Sequence, residues 1–154
     1  MSQLAVGQDD HPEAAEKHFE DAKALRAADR FDGCAYHAGY VVECALKTVV
    51  LWARTVDPQT GIIDQTKLNH WHQQVRTQYG HKVQALLQVV TAEGADYLPP
   101  LQGSQLLQQW QESMRYWPAG KIPVQGADEF LVSAKQALDS VLRMRLDGIF
   151  CGCP

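Results

Sequence analysis

The sequence predicts an all-α fold, an antiparallel up-down bundle of four to five main helices. Apolar residues recur at spacings of three and four along most of the chain, glycine and proline separate these segments, and no segment alternates as a strand does. A chain of 154 residues is long enough for one core. We assign residues 1–10 to a polar tail, 11–148 to the bundle and 149–154 to a second tail.

The first predicted helix begins at residue 11 or 12 and ends near residue 28. Pro12 suits a first helical turn, and Glu13 and Glu16 favour the positive end of the helix dipole. The apolar face of this helix is formed by Ala15, Phe19, Ala22 and Leu25. One side of the helix is therefore expected to pack on the core.

The second predicted helix spans residues 33–54, with Asp32 as its cap. This segment is apolar nearly all round, which is typical of a helix at the centre of a core or between the core and a partner chain. Glu43 and Lys47 stand four residues apart in the favourable order, so we expect them to form an intrahelical ion pair.

Four further helical segments follow, some of them short, each bounded by glycine or proline. The periodic segments predict helices over residues 68–79, 81–93, 104–117 and 127–146. The last of them begins with acidic residues and ends with basic ones, as the helix dipole favours. The stretch between the last two contains two prolines and two glycines and is predicted to be a loop.

The net charge of −4 comes from the beginning of the chain. Residues 1–32 hold eight of the 18 acidic and four of the 14 basic residues, which leaves ten of each sign for the rest. No basic run marks a surface that binds nucleic acid by charge alone. The most apolar stretch contains His37, Glu43 and Lys47, so a buried helix is favoured over a membrane span.

The cysteines and the N-terminus predict a cytoplasmic protein. The first ten residues lack the cationic and apolar blocks of a signal peptide. Cys34 and Cys44 lie ten residues apart in one predicted helix, which is beyond the reach of a disulfide. Reduced thiols fit this compartment.

No metal site and no cofactor are expected from local spacing. His70 and His72 point in different directions on a helix, so we expect exposed or capping histidines there. Cys151 and Cys153 form a Cys-x-Cys with no further ligand nearby in sequence, which indicates a pair of reduced thiols in the C-terminal tail.

One nine-residue motif carries a family resemblance. Residues 39–47 read Gly-Tyr-Val-Val-Glu-Cys-Ala-Leu-Lys, which resembles at every quoted position the Gly-Tyr-x-x-Glu-Cys-x-Leu-Lys helix of prokaryotic HEPN-domain proteins. The residues His18, Asp21, Ala22 and Leu25 resemble that family's first-helix motif. Weaker matches are Gly80 with His81, and Trp110 with Arg115 and Tyr116. The resemblance covers residues 12–147.

What the resemblance implies is a small helical bundle that dimerises. HEPN proteins bind RNA or nucleotides, and the resemblance implies an RNA- or nucleotide-associated accessory or defence module, as in toxin–antitoxin systems. Its implied partners are a second copy of the chain, a nucleotidyltransferase or an antitoxin. Fold alone does not choose among these roles.

A metal-independent endoribonuclease is the alternative function. Nuclease members of the family carry Arg and His four to six residues apart, because cleavage needs a base for the 2′-hydroxyl and a cation on the phosphate. Arg76 with His81 is the best-placed pair here, whereas Arg30 with His37 lies outside the family's site. The late helix, where the family carries this motif, has Arg115 but no His at residues 120–122.

A polar cluster is the candidate binding site. Arg115 stands among large apolar residues and Glu43 lies on the most apolar helix, so each needs a partner. We expect an ion pair between them, or a shared cluster with Lys47 and Tyr116. Such a cluster either fixes helix register or binds a phosphate or a base. A third interpretation is a non-catalytic scaffold that dimerises through the second helix.

Overall fold

The computed structural model describes residues 1–57, 59–92, 97, 101 and 108–147. Over these residues the chain is all-helical, as the sequence predicts. Its α-helices are α1 (His11–Ala27), α2 (Phe31–Thr55), α3 (Gln65–Gln74), α4 (Val83–Ala92) and α5 (Val124–Leu146). A π-helical turn, Val75–Tyr79, extends α3, and a short 3-10 helix spans Glu112–Tyr116. No described helix is long and apolar enough to cross a membrane.

Helix α2 lies at the centre of the bundle and contacts each of the other four helices. Every residue from Val41 to Leu51 is buried. A helix surrounded by others needs apolar side chains on all faces, which explains the composition of this segment.

Contacts between named residues fix the direction of each helix relative to α2. Leu25 packs at Gly33 while His18 packs at His37, so α1 runs antiparallel to α2. The start of α3 lies beside Thr55, where Asp64 N donates to Thr55 O. The chain then runs back along α2 until it reaches Glu43 just before α4 begins. The first three helices therefore alternate in direction, as predicted.

Helix α5 packs on both α1 and α2. Arg26 near the end of α1 pairs with Asp128 near the start of α5, and Glu16 pairs with Arg145 near its end. Helix α5 is consequently antiparallel to α1 and runs in the same direction as α2. Two interhelical ion pairs at opposite ends of α5 hold it in register with α1.

Asp32 has a different role from the predicted helix cap. Helix α2 begins two residues earlier than predicted, at Phe31, and Arg30 provides no side-chain cap. The Asp32 carboxylate instead accepts hydrogen bonds from Gly120 N at 2.6 Å and Ile122 N at 2.8 Å. It therefore ties the start of α2 to the loop before α5, and the start of α2 has no side-chain cap.

The α-helix predicted over residues 104–117 is wrong in its second half. Gln111 is extended, and residues 112–116 form a 3-10 helix. The indole of Trp110 lies against Gly39 of α2, and its Nε1 donates to Tyr36 O at 3.1 Å. We attribute the break to this tertiary contact, which holds Trp110 where a continuous helix would not place it. The part of the prediction before residue 108 lies outside the described residues.

The first ten residues pack on the bundle, although the sequence suggests a polar tail. Leu4 is completely buried, and the hydroxyl of Ser2 donates to Asp10 Oδ1 at 2.8 Å. His72 Nε2 donates to Leu4 O at 2.6 Å. The prediction that His72 is exposed or a cap is therefore wrong, because this histidine is buried beneath the N-terminal segment. The predicted C-terminal tail lies outside the described residues.

Candidate functional site

A buried ion pair on α2 forms the base of the candidate site. Glu43 and Lys47 are 2% and 6% exposed, and Lys47 Nζ donates to Glu43 Oε1 at 2.6 Å. The second carboxylate oxygen of Glu43 accepts from His81 Nδ1 at 2.9 Å. The predicted intrahelical pair is thus confirmed, and His81 joins it from the turn before α4.

Contacts between ionisable side chains continue outward from His81 to the surface. His81 Nε2 lies 3.5 Å from Glu112 Oε2, and Arg115 donates to Glu112 Oε1 at 2.8 Å. We call these five residues the Glu43 network: Glu43, Lys47, His81, Glu112 and Arg115. Acidic and basic residue types alternate along the network from the core to the solvent.

The predicted direct pair between Glu43 and Arg115 is wrong. Arg115 pairs with Glu112 one turn away on the 3-10 helix, and His81 stands between Glu112 and Glu43. Glu43 is already satisfied by a lysine on its own helix and by the histidine. Tyr116 is exposed, and its ring lies against the Arg115 guanidinium at 4.8 Å.

Arg76 and His81 are not joined in one network. Arg76 is exposed on the π-helical turn and has no hydrogen-bond or ion-pair partner among the described residues. Gly80, with a φ of 51°, then reverses the chain. His81 follows it and turns toward the two carboxylates of the Glu43 network. His81 is therefore connected to Arg115 through Glu112, and no contact within the described residues connects Arg76 to either of them.

A cleft of about 460 Å³ opens beside Arg115. We call it the Arg115 cleft. Its walls include the aromatic residues Phe31, Tyr36 and Trp117 and the cations Arg30 and Arg115. This volume lies within the range of sites for small ligands.

The start of α2 contributes free donors to the Arg115 cleft. The first backbone N–H groups of a helix have no partner within the helix, and α2 lacks a side-chain cap that would satisfy one. Arg30 has no side-chain hydrogen bond or ion pair within the described part of the chain. Such donors, together with the positive end of the helix dipole, suit an anion such as a phosphate.

Acidic groups in the Arg115 cleft are largely engaged elsewhere. Asp32 accepts from two backbone N–H groups, and Asp29 lies 3.8 Å from the guanidinium of Arg26. Desolvation opposes the charge of Arg115, but Glu112, Tyr116 and Tyr36 together outweigh it and hold the pKa of Arg115 above its ordinary value. The Arg115 guanidinium at the edge of the cleft is therefore always protonated.

Tyr36 of the Arg115 cleft belongs to a cluster of aromatic residues. The hydroxyls of Tyr36 and Tyr40 lie 3.0 Å apart, and the ring of Tyr40 meets His81 and Trp110 edge to face. Burial, together with the hydrogen bond to Tyr36, raises the pKa of Tyr40. Tyr40 therefore stays a neutral hydroxyl at physiological pH.

A second groove, of about 280 Å³, opens beside His81. It is lined by His81, Trp110 and Glu112 among others. The His81 side chain is 41% exposed here, so an imidazole held by two carboxylates faces the solvent. Histidine in such a position is chemically suited to accept or donate a proton.

No family model, curated protein or solved structure matches this chain.

The structure nevertheless gives a physical reason for several residues of the nine-residue motif. Gly39 leaves room for Trp110, and Glu43 with Lys47 forms the buried end of the Glu43 network. The resemblance to HEPN domains stays a prediction from the sequence.

Sequence reasoning missed four residues of the site: Arg30, Tyr36, Tyr40 and Glu112. Glu112 precedes Arg115 by three residues, and Tyr36 and Tyr40 are four apart, so local spacing carried a signal for these pairs. The spacing of Arg30 from His37 indicated a different pair, since His37 is not among the residues that line the cleft. The place of Arg30 in the cleft depends on the loop before α5, which folds back to it from almost 90 residues away.

Proposed function

We propose that this protein binds a nucleotide unit, free or within single-stranded RNA, at the Arg115 cleft. One observation supports this most directly: the uncapped start of α2 faces the same cleft as two arginines and three aromatic side chains. Arginine and helix N-termini bind phosphates, and aromatic rings stack on bases. In this proposal the protein is a cytoplasmic accessory or defence module.

Binding at this site involves few phosphate contacts. The chain is acidic overall, and the cleft offers two arginines rather than a basic surface. For single strands, log K changes with log salt by about −0.7 for each phosphate neutralised, so two contacts give a slope of about −1.4. A much steeper slope would indicate binding by a broader surface and would contradict the proposal.

The test uses fluorescence anisotropy of a labelled single-stranded RNA, with a nucleoside monophosphate and its nucleoside as competitors. We expect Arg115→Ala and Arg30→Ala each to weaken binding about tenfold or more, because each removes a charge-assisted hydrogen bond to phosphate. The monophosphate should compete better than the nucleoside. Trp117→Ala should weaken both competitors alike, since stacking does not depend on the phosphate.

Lys135→Ala is the matched control. This exposed lysine pairs with Asp139 on the solvent side of α5, so its removal changes the net charge equally without touching the cleft. It should bind RNA as the wild type does. Equal weakening by Lys135→Ala, or no binding by the wild-type protein, would show that the Arg115 cleft is not the site.

An endoribonuclease is the second candidate, and the exposed His81 in its groove is the observation that favours it. The same RNA is incubated with excess chelator and analysed for cleavage. If this candidate is right, cleavage is lost in His81→Ala. If Arg76→Ala also loses cleavage, the pair predicted from spacing is supported. If Arg115→Ala loses cleavage and Arg76→Ala does not, the catalytic cation belongs to the Glu43 network.

The proposal also includes partner proteins. In it the protein forms a homodimer or acts with a nucleotidyltransferase or an antitoxin. Sedimentation of the purified protein tests the dimer, and co-purification from the native host identifies a partner and its bound nucleic acid. A dimer that binds neither RNA nor nucleotide would favour the scaffold interpretation instead.

A further inference from the structure

Two histidines and an aspartate converge between α1 and α2, outside the proposed nucleotide site. His18 and Asp21 lie one turn apart on α1 and face His37 of α2. The Nδ1 atoms of the two histidines are 3.1 Å apart, and His37 Nδ1 lies 3.7 Å from Asp21 Oδ2. One ligand atom from each of the three residues lies within 4.8 Å of the others.

These distances are close to those of a metal coordination shell. Zinc binds histidine nitrogen and carboxylate oxygen at about 2.0–2.2 Å, so tetrahedral ligand atoms lie about 3.3–3.5 Å apart. The two measured distances fall on either side of this value. A hydrogen bond between the imidazoles explains only the shorter of the two distances. The Asp21 oxygen is too far from His37 Nδ1 for an ordinary hydrogen bond.

The surroundings keep both imidazoles available as ligands. Burial lowers the pKa of His18, with His37 and Lys17 adding to the effect while Asp21 and Glu43 oppose it. Burial also lowers the pKa of His37, where Asp21 opposes the shift and Lys17 adds to it. Both rings are therefore neutral at physiological pH, and the neutral form is the one that binds metals.

Neighbouring aromatic rings hold the cluster in place. The ring of Tyr40 stacks on His18 with centroids 5.0 Å apart, and the ring of Tyr36 meets His37 edge to face. Metal-binding histidines need a fixed ring orientation, which packing of this kind supplies.

We propose that His18, Asp21 and His37 bind a divalent transition-metal ion of the zinc type. The three residues supply two nitrogens and one oxygen, which suits zinc and its neighbours in the first transition row better than calcium or magnesium. The site is partly exposed, so a fourth coordination position is open to water or to a ligand. The metal also links α1 to α2 and stabilises the folded chain.

The cysteines decide how the experiment is designed. Cys34 and Cys44 are buried in the core, which keeps both thiols away from a zinc ion in solution. Cys151 and Cys153 are able to bind zinc by themselves. Zinc binding is therefore measured by calorimetry on the full chain carrying Cys151→Ser and Cys153→Ser, with the unchanged chain alongside.

The doubly substituted chain should bind one zinc ion per chain and unfold at a higher temperature when zinc is present. His37→Gln in that background should weaken zinc binding more than about a hundredfold, because it removes a direct ligand. Asp21→Asn should weaken it less, since the amide oxygen is a poorer ligand. Asp21 is half exposed, so this variant decides the question if His37→Gln does not fold.

His70→Gln is the matched control, because His70 is an exposed histidine of α3 outside the cluster. It should bind zinc as its parent does. Cobalt, whose visible absorption reports nitrogen and oxygen ligands, should show bands that disappear with His37→Gln. Zinc binding that is unchanged in His37→Gln and Asp21→Asn, or lost with the two cysteines alone, would overturn the proposal.

Discussion

At the scale of single residues, burial controls the protonation of several histidines. The rings of His11 and His72 stack with centroids 5.3 Å apart. Burial, the charge of Lys47 and the neighbouring His72 together lower the pKa of His11 to about 3. An unfolded chain would take up a proton on this ring near pH 6.5, whereas the folded chain does not.

The first prediction concerns the response of stability to acid. Because the unfolded state binds more protons through His11 below pH 6.5, the free energy of unfolding falls as the pH is lowered toward 3. The contribution of His11 alone lowers the free energy of unfolding by about 2 kcal/mol between pH 6.5 and pH 5. Urea unfolding at several pH values measures it.

His11→Gln should unfold with a smaller dependence on pH than the wild type. The pKa values of His18 and His37 are lowered in the same direction, so these two contribute equally to both proteins and cancel in the comparison. His70→Gln, which changes an exposed histidine, should keep the full dependence. Identical pH profiles for His11→Gln and the wild type would contradict the assignment.

At the scale of elements, the close approach of Trp110 to α2 shapes the site. A Cβ atom on Gly39 would lie only 1.8 Å from the indole Nε1, far inside contact distance. The indole instead packs against the glycine and donates to the backbone at Tyr36. This contact positions the 3-10 helix that carries Glu112 and Arg115.

The second prediction is that Gly39→Ala displaces Trp110. The clash outweighs the gain in helix propensity, so we expect a loss of about 1–3 kcal/mol in the free energy of unfolding. A shift in tryptophan fluorescence and weaker RNA binding should accompany it, because the 3-10 helix moves with the indole.

Gly126→Ala is the control, since its Cβ would lie 3.5 Å from the side chains of Ile122 and Pro123, an ordinary contact. That change in α5 should be neutral or stabilising by up to about 1 kcal/mol. Equal stability of the two alanine variants would show that Trp110 does not fill the space over Gly39.

At the scale of the whole molecule, the Glu43 network joins parts of the fold that are far apart in sequence. Glu43 and Lys47 belong to α2, His81 to the turn before α4, and Glu112 and Arg115 to the 3-10 helix. A buried charge with one partner removed is costly, because the remaining charge has neither water nor a counter-ion.

The third prediction follows from this burial. Glu43→Ala should lower the free energy of unfolding by about 3–5 kcal/mol, since it leaves Lys47 buried without a counter-charge. Replacing both residues, Glu43→Leu with Lys47→Met, should recover most of this loss, because a well-packed apolar pair replaces a buried ion pair at little cost.

An exposed ion pair with the same four-residue spacing serves as the control for the buried pair of Glu43 and Lys47. Asp139→Ala breaks the pair with Lys135 on the surface of α5 and should change stability little. Similar losses for Glu43→Ala and Asp139→Ala in urea unfolding would mean that Glu43 is not the buried anchor of the network.

The sequence by itself determined the features that depend on neighbours along the chain. Spacings of three and four predicted the helical class and approximate bounds of most helices, and the apolar surface of residues 33–54 predicted a central helix. The pair of Glu43 with Lys47 followed from the same periodicity, because one turn of helix brings such residues together whatever surrounds them.

Only the tertiary structure decided which distant residues meet. Asp32 binds the loop before α5 across 88 positions, and His37 meets His18 and Asp21 of another helix. His81 stands between Glu43 and the 3-10 helix, so Arg115 pairs with Glu112 instead of Glu43. Periodicity determines which face of a helix a residue occupies, whereas the packing of the helices determines which face of which neighbour it meets.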